Sequence, residues 1–394
     1  MTASTFETSL LAQDYPASVI RTVFEKVAQY ENVTKLTVGE PDFDTPSHIV
    51  EAAVASLRNH ETRYTPNAGI PELREAFARR CTRDWNRPVG ASNVMVTVGG
   101  QEALLLAMQV ALNPGDELLV PDPAYPNYHG QATIVGAKVV TVPLSPDNGF
   151  RMRAEDIEPL ITPKTKAVLV NSPSNPLGVM VAEEELRKMA SLAARHNFLL
   201  ISDEVYDRIT YDGKPAVSVA QLDPGFENYL VINSLSKSYA MTGWRTGFVV
   251  GPSHLIQLMP RMQEGLVSCT PAFIQRAAVA ALEGPDDAVD TMVAEYQRRR
   301  DIAVAAIRAI PGVECDMPEG AFYIFADIRG TGLSSQEFSD RLLEEQRVAV
   351  IPGTAFGQGG EGFIRLCFAA SDETIRTAID GMAKFVESLT VAVG

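Results

Sequence analysis

Val231-Ile232-Asn233-Ser234-Leu235-Ser236-Lys237-Ser238, followed by Met241-Thr242-Gly243-Trp244-Arg245, is the stretch on which the fold turns. An apolar run breaks into a short polar loop holding one lysine among hydroxyls, with an arginine eight positions on. Upstream, Leu199-Leu200-Ile201-Ser202-Asp203-Glu204-Val205-Tyr206 shows the same form, an apolar run closed by a carboxylate. Working outward, further strands are predicted at Val94–Val98, Glu117–Val120, Lys138–Val142, Ala167–Val170, Leu230–Ile232 and Thr246–Val250. Helical periodicity fills the gaps from Ile49 to the 280s, and strands alternating with helices indicate an α/β sheet layered by helices. The runs end in Gly99-Gly100, Pro121-Asp122-Pro123, Asn171-Ser172-Pro173, Asp203 and Ser234. Open α/β sheets bind ligands just beyond the carboxyl ends of their strands, so these ends are expected to converge on one site.

Outside this region the texture changes. A long helix over about Asp286–Ala309 precedes strands at Phe322–Ala326, Val348–Ile351 and Phe363–Leu366 and a terminal helix over Glu373–Leu389. This reads as a smaller α+β domain that also takes the first 45 residues, with Ile20, Val23, Phe24 and Val27 on one helical stripe. The expected division is therefore 1–45 and 286–394 for the small domain, and 46–285 for the large one.

Bulk properties narrow the function. With 394 residues, 46% hydrophobic and 21% charged, the chain can bury sizeable cores in two domains. No run reaches the ~18–20 apolar residues of a membrane span, and Met1–Leu11 has no basic n-region. A cytoplasmic protein without a membrane partner is expected. A net charge of −15 repels phosphate backbones and argues against nucleic acid. The basic run Arg298-Arg299-Arg300 reads as a solvated helix face. Cys81, Cys269, Cys315 and Cys367 are scattered singly and the five histidines are dispersed, so no metal site is expected. Gly357-Gln358-Gly359-Gly360-Glu361-Gly362 satisfies G-x-G-x-x-G, but it leads into a strand instead of opening a helix and reads as a flexible loop.

The chemistry lies at the strand ends. A lysine amine held in a dry setting can lose its proton, form an imine with an aldehyde and later shuttle a proton. Ser234, Ser236 and Arg245 suit a phosphate dianion, as do the backbone N–H groups of Gly99-Gly100-Gln101 at a helix start. Gly99-Gly100 also reads as a plain turn, and Arg245 as a structural ion pair. Asp203 reads as a helix N-cap or as a carboxylate that keeps a pyridine nitrogen protonated. Tyr206 and Asn175 can donate to a ring phenolate oxygen, and Tyr125 has a face that can stack on the ring. Arg365, inside the apolar strand Gly362-Phe363-Ile364-Arg365-Leu366, needs a partner, either a substrate carboxylate or a structural one. An imine-forming amine, an anion cradle and a buried carboxylate are what a pyridoxal-phosphate enzyme requires.

These motifs resemble the class I aminotransferases, of fold type I among pyridoxal-phosphate enzymes, over nearly the whole chain. They include Gly39-Glu40-Pro41-Asp42-Phe43, Tyr64-Thr65-Pro66, Asn113-Pro114-Gly115-Asp116, Ser172-Pro173-Ser174-Asn175-Pro176, Asp203-Glu204-x-Tyr206, Ser234-x-Ser236-Lys237 and Arg365. Leu177 departs from the threonine usual in the Asn-Pro-x-Gly motif, while Gly178 is kept. The resemblance implies pyridoxal 5'-phosphate bound as a Schiff base to Lys237, with Asp203 on the ring nitrogen. It implies Asn175 and Tyr206 on the phenolate oxygen, Tyr125 over the ring, and Gly99, Gly100, Gln101, Ser234, Ser236 and Arg245 around the phosphate. Arg365, with Gly39 and Asn175, would hold the substrate carboxylate. A homodimer is implied, in which Tyr64 reaches the neighbouring subunit's phosphate. The implied reaction moves the amino group of an L-amino acid to a 2-oxo acid such as pyruvate or 2-oxoglutarate, by a ping-pong route through pyridoxamine phosphate. Bacterial aspartate and arginine–pyruvate aminotransferases both resemble parts of the chain. A lyase, decarboxylase or oxidase on the same fold is the alternative, and a pyridoxal-phosphate-binding regulator a remoter one.

Overall fold

In the computed structural model, residues 8–391 are described, so Met1–Glu7 of the expected N-terminal segment and the last three residues lie outside it. Among the described residues the strands form three sheets. The largest comprises β2 (Val94–Thr97), β3 (Glu117–Asp122), β4 (Lys138–Pro143), β5 (Thr165–Asn171), β6 (Leu199–Asp203), β7 (Tyr229–Ser234) and β8 (Gly247–Val250), after a short β1 (Thr34–Lys35). Their spatial order is β2-β8-β7-β6-β5-β3-β4. From β4 to β7 the pairing is parallel. β8 runs antiparallel to both β7 and β2, and β2 has no other neighbour.

The strands are apolar on both faces because helices cover both. Val94 and Val96 of β2 enter one core with Leu119, Val168, Val170, Leu200 and Val231, while Met95 enters the opposite core with Leu118, Leu169, Ile201, Leu230 and Ile232. That alternation is the period of two expected for a strand, and burial on both sides explains the near-continuous Val/Ile/Leu runs. The sheet and its layers are those anticipated.

The second sheet, β9 (Glu314–Cys315), β10 (Tyr323–Asp327), β12 (Ile351–Pro352) and β13 (Phe363–Cys367), is antiparallel in the order β12-β13-β10-β9. The expected single strand at 348–351 is two: β11 (Val348–Ala349) pairs with β1, and Val350 carries the chain across to β12. Residues near the start of the chain thus pair with residues three hundred positions on.

The stripe expected near the start of the chain falls on the helix Val19–Val27, with Val27 buried and Phe24 41% exposed. One expectation about helices fails. In the helix Asp287–Arg308 only Arg298 matches the solvated face expected of the basic run; Arg299 and Arg300 are buried. Arg299 Nη1 pairs with Asp42 at 2.7 Å, and Arg300 makes a fork on Asp212 at 2.8 and 2.9 Å and also donates to Pro318 O. A buried guanidinium needs partners, and carboxylates far away in sequence join the nearby Glu295 and Asp301 in supplying them.

Candidate active site

The parallel strands all end on one edge, and there the predicted residues meet. Ser234 ends β7 and caps the single-turn helix Leu235–Ser238, its Oγ accepting the Ser236 N–H at 3.1 Å. That cap fixes the turn carrying Lys237. Ser234 Oγ donates to Thr246 O at 2.8 Å, and Ser236 Oγ lies 2.9 Å from it.

Because β8 runs against its neighbours, its first residue stands level with their last. Gly247 is paired with Ser234 on one side and with Thr97 on the other. Arg245, two residues before it in the left-handed conformation at φ 58°, is thereby delivered to the same edge. Gly99, at φ +79°, turns the chain from β2 into the helix Gly99–Ala111, and a Cβ on it would stand 2.5 Å from Arg245 Nη2. Two hydroxyls, a guanidinium fork and a helix N-terminus at a glycine turn form a cradle suited to a phosphate.

Asp203 ends β6 and is buried, its Oδ2 accepting from Tyr128 OH at 2.7 Å and its Oδ1 from the Val205 N–H at 3.3 Å. Burial pushes its carboxyl up to about 6 against these bonds and the Lys237 charge. A carboxylate kept dry in this way is stabilised by a cation brought beside it, such as a protonated pyridine. Lys237 Nζ donates to Gly39 O at 2.5 Å. It lies 5.9 Å from the Tyr206 ring centre and 5.8 Å from that of Phe322. The lysine keeps some exposed surface, yet protein crowds its amine closely enough that desolvation brings the pKa down to about 8. The donor set therefore fits a phosphorylated pyridine aldehyde: an amine that sheds its proton readily, a dry carboxylate and an anion cradle.

Tyr125 OH accepts from Gln101 Nε2 and Asn127 Nδ2, each at 3.0 Å, and Gln131 Nε2 holds the Gln101 carbonyl at 2.8 Å. Burial moves the Tyr125 phenol up to about 12, so it stays neutral. Tyr206 OH and Tyr323 OH are 2.8 Å apart, and burial pushes the Tyr206 phenol well above its ordinary value.

Arg365, on β13, is 3% exposed; its Nη1 donates to Asn175 Oδ1 at 3.1 Å and its Nη2 to Thr37 O at 2.7 Å. Its guanidinium lies 4.6 Å from the Tyr323 ring centre and 4.9 Å from that of Phe356, and its Nε has no partner. Among the described residues no carboxylate forms an ion pair with Arg365. Of the two partners weighed for it, the structural carboxylate is absent.

Gly39, Gly99, Gly100, Gln101, Tyr125, Asn175, Asp203, Tyr206, Ser234, Ser236, Lys237, Arg245 and Arg365 are thus linked through this edge of the molecule. Tyr64 is not: it stands 90% exposed. Tyr128, Tyr323 and Thr37 were not singled out from sequence. Tyr128 follows Tyr125 by one helical turn, a spacing that could have flagged it; nothing local marks Thr37, which acts through its carbonyl.

Residues 31–382 match the family described as aminotransferase class I and II. Among curated relatives, an aspartate aminotransferase of Pyrococcus abyssi is 42% identical over 370 residues, covering 93% of this chain and 95% of the relative. The arginine–pyruvate transaminase of Pseudomonas aeruginosa is 42% identical over 353 residues, 90% of each chain. Among solved structures, an aspartate aminotransferase from Rhizobium meliloti superposes with a TM-score of 0.93 at 36% identity, covering 97% of this chain and 99% of its own.

Proposed function

The chain belongs to the class I and II aminotransferases, pyridoxal-phosphate-dependent enzymes that move an amino group from an amino acid to a 2-oxo acid, and from that premise we propose how its residues divide the work. Pyridoxal 5'-phosphate, when bound, supplies the aldehyde that takes up the amino group and the electron sink for the electrons released at the substrate's Cα. Lys237 Nζ would hold it covalently, and Ser234, Ser236, Arg245 and the Gly99-Gly100-Gln101 turn would hold its phosphate. Tyr125 would stack on the ring, Asp203 keep its nitrogen protonated, and Asn175 and Tyr206 donate to its phenolate oxygen.

The observation that carries the reading is the pairing of a depressed lysine with a buried arginine that has no carboxylate of its own. Arg365, braced by Asn175 and Thr37 and resting on two aromatic rings, keeps its charge available for the α-carboxylate of an amino acid. With that group anchored, the Cα–H is presented to Lys237 Nζ, which takes the proton and later returns one. Gly39 O, to which Nζ donates, would hold the amine between these steps. An incoming 2-oxo acid would use the same Arg365 anchor, so donor and acceptor take turns, the ping-pong order. Pyruvate and 2-oxoglutarate are the acceptors to try first.

The same reading divides the chain into 1–45 with 286–394 against 46–285, supported by the pairing of β1 with β11 and by a large sheet confined to residues 94–250. It makes the working unit a homodimer in the cytoplasm, with the exposed Tyr64 offered to the neighbouring subunit's phosphate site.

The test screens the twenty amino acids against both acceptors. Transamination should convert the bound cofactor's absorbance with amino acid alone, and release nothing further until a 2-oxo acid is added. Pyruvate produced continuously without an acceptor would overturn the reading in favour of a lyase.

A further inference from the structure

The glycine-rich run at 357–362, expected to be a flexible loop, is folded onto a carboxylate. Asp122, the last residue of β3, accepts the Gly359 N–H on Oδ1 at 3.1 Å, and the neighbouring Gln358 N–H also favours its charged form. Successive backbone N–H groups turned onto one anion form a nest. Gly357 makes the turn at φ +128°, where a Cβ would stand 1.9 Å from Asp122 Oδ1. Beside the nest the Ala124 N–H donates to Phe356 O at 2.8 Å.

Both sides of this clasp lead into the active site. From Asp122 the chain passes through Pro123 and Ala124 to Tyr125. From the nest it runs back to Phe356, under the Arg365 guanidinium, and forward into β13, which carries Arg365. β3 belongs to the seven-stranded sheet and β13 to the four-stranded one. We propose that Asp122 is a positioning residue: its carboxylate, seated in the 357–359 nest, sets the separation between Tyr125 and Arg365 and so the fit of the substrate carboxylate. The proposal rests on the roles given above to Tyr125 and Arg365. Asp122 reaches substrate only through them, and bidentate recognition is sensitive to small displacements; a misplacement of about 1 Å can cost about a hundredfold.

The test compares Asp122→Ala, Asp122→Asn, Gly357→Ala and the Asp122→Ala/Gly357→Ala double variant. For each, KM and kcat for donor and acceptor, cofactor retention after dialysis and melting temperature are measured. Asp122→Ala and Gly357→Ala are each expected to raise both KM values about tenfold, or about 1.4 kcal/mol, with cofactor retained and kcat within about threefold. Asp122→Asn, which keeps an acceptor but no charge, should fall between these and the parent. The double variant should be no worse than the poorer single one, because both break the same contact. Unchanged KM values, a loss confined to kcat, or effects that multiply in the double variant would each overturn the proposal. If Asp122→Ala does not fold, Asp122→Asn and Gly357→Ala decide it by the same KM criterion. Failure of the underlying reading shows separately, as an Arg365→Lys variant with an unaltered KM.

Discussion

The amine of Lys237 attacks an aldehyde only when neutral, and its surroundings decide how often that is. Desolvation, offset by Cys367 and Glu40 and reinforced by Arg365 and Arg245, brings its pKa from 10.5 to about 8. At pH 7 an amine with that pKa is neutral about one time in ten, against about one in three thousand for an ordinary lysine, a gain of about 300-fold in nucleophile. Cofactor-free protein mixed with excess pyridoxal phosphate between pH 6 and 10 should therefore attach it at a rate rising about tenfold per pH unit and bending to a plateau near pH 8. Absorbance follows the rate, and borohydride fixation with peptide mass mapping locates the bond. A rate still climbing at pH 10, or equal labelling of a Lys237→Arg variant, would refute the reasoning. The same shift is a cost to stability. The folded protein binds this proton more weakly than the unfolded chain, so the penalty is full below pH 8, about 3 kcal/mol, and gone above about 10.5.

Three further outcomes follow from the geometry. Asp203→Asn, by removing a buried charge that would face the ring nitrogen, should lower kcat about a hundredfold or more while the phosphate cradle retains the cofactor; kinetics and dialysis check both halves. Glu204 is buried beneath Ser202, Ser218 and the Val219 N–H, and burial pushes its carboxyl up to about 8. A carboxyl raised in the folded state contributes its full stability below about pH 4.5 and loses it as pH rises through 8. Glu204→Gln should therefore be more stable than the parent by about 4 kcal/mol at pH 8.5 and nearly equal to it at pH 4.5, read from urea midpoints. Arg300→Met strands the Pro318 carbonyl and one face of Asp212, and should cost about 2 kcal/mol of stability while kcat/KM per folded molecule stays unchanged.

What could be read from the chain alone was whatever local order encodes. The positions of Lys237 and Asp203 were legible because Asp203 closes an apolar run and Lys237 closely follows one, and such runs have few places to go except adjacent strands. Arg365 was legible as a charge out of keeping with its strand. The distant partners of Arg299 and Arg300 were not, because Asp42 lies 257 positions away and Asp212 lies 88, and nothing in Arg298-Arg299-Arg300 points to either. The glycine run failed for the same reason: glycine permits many backbones, and only Asp122, 237 positions from Gly359, selects one. The split at Val350 was hidden because an apolar residue between two apolar pairs gives no sign of a change of partner.

The place of β2 bears on how the molecule is made. Thr97 pairs with Gly247, and among the described residues no other strand lies beside β2. A nascent chain leaving the ribosome has thus completed the turn at Gly99 long before the strand that must hold it in line exists, and pairings so remote form slowly. Fragments halted short of residue 250 should carry the middle of the sheet but leave the Gly99 turn untethered, so most of the protein must be synthesised before that turn and Ser234 stand in line.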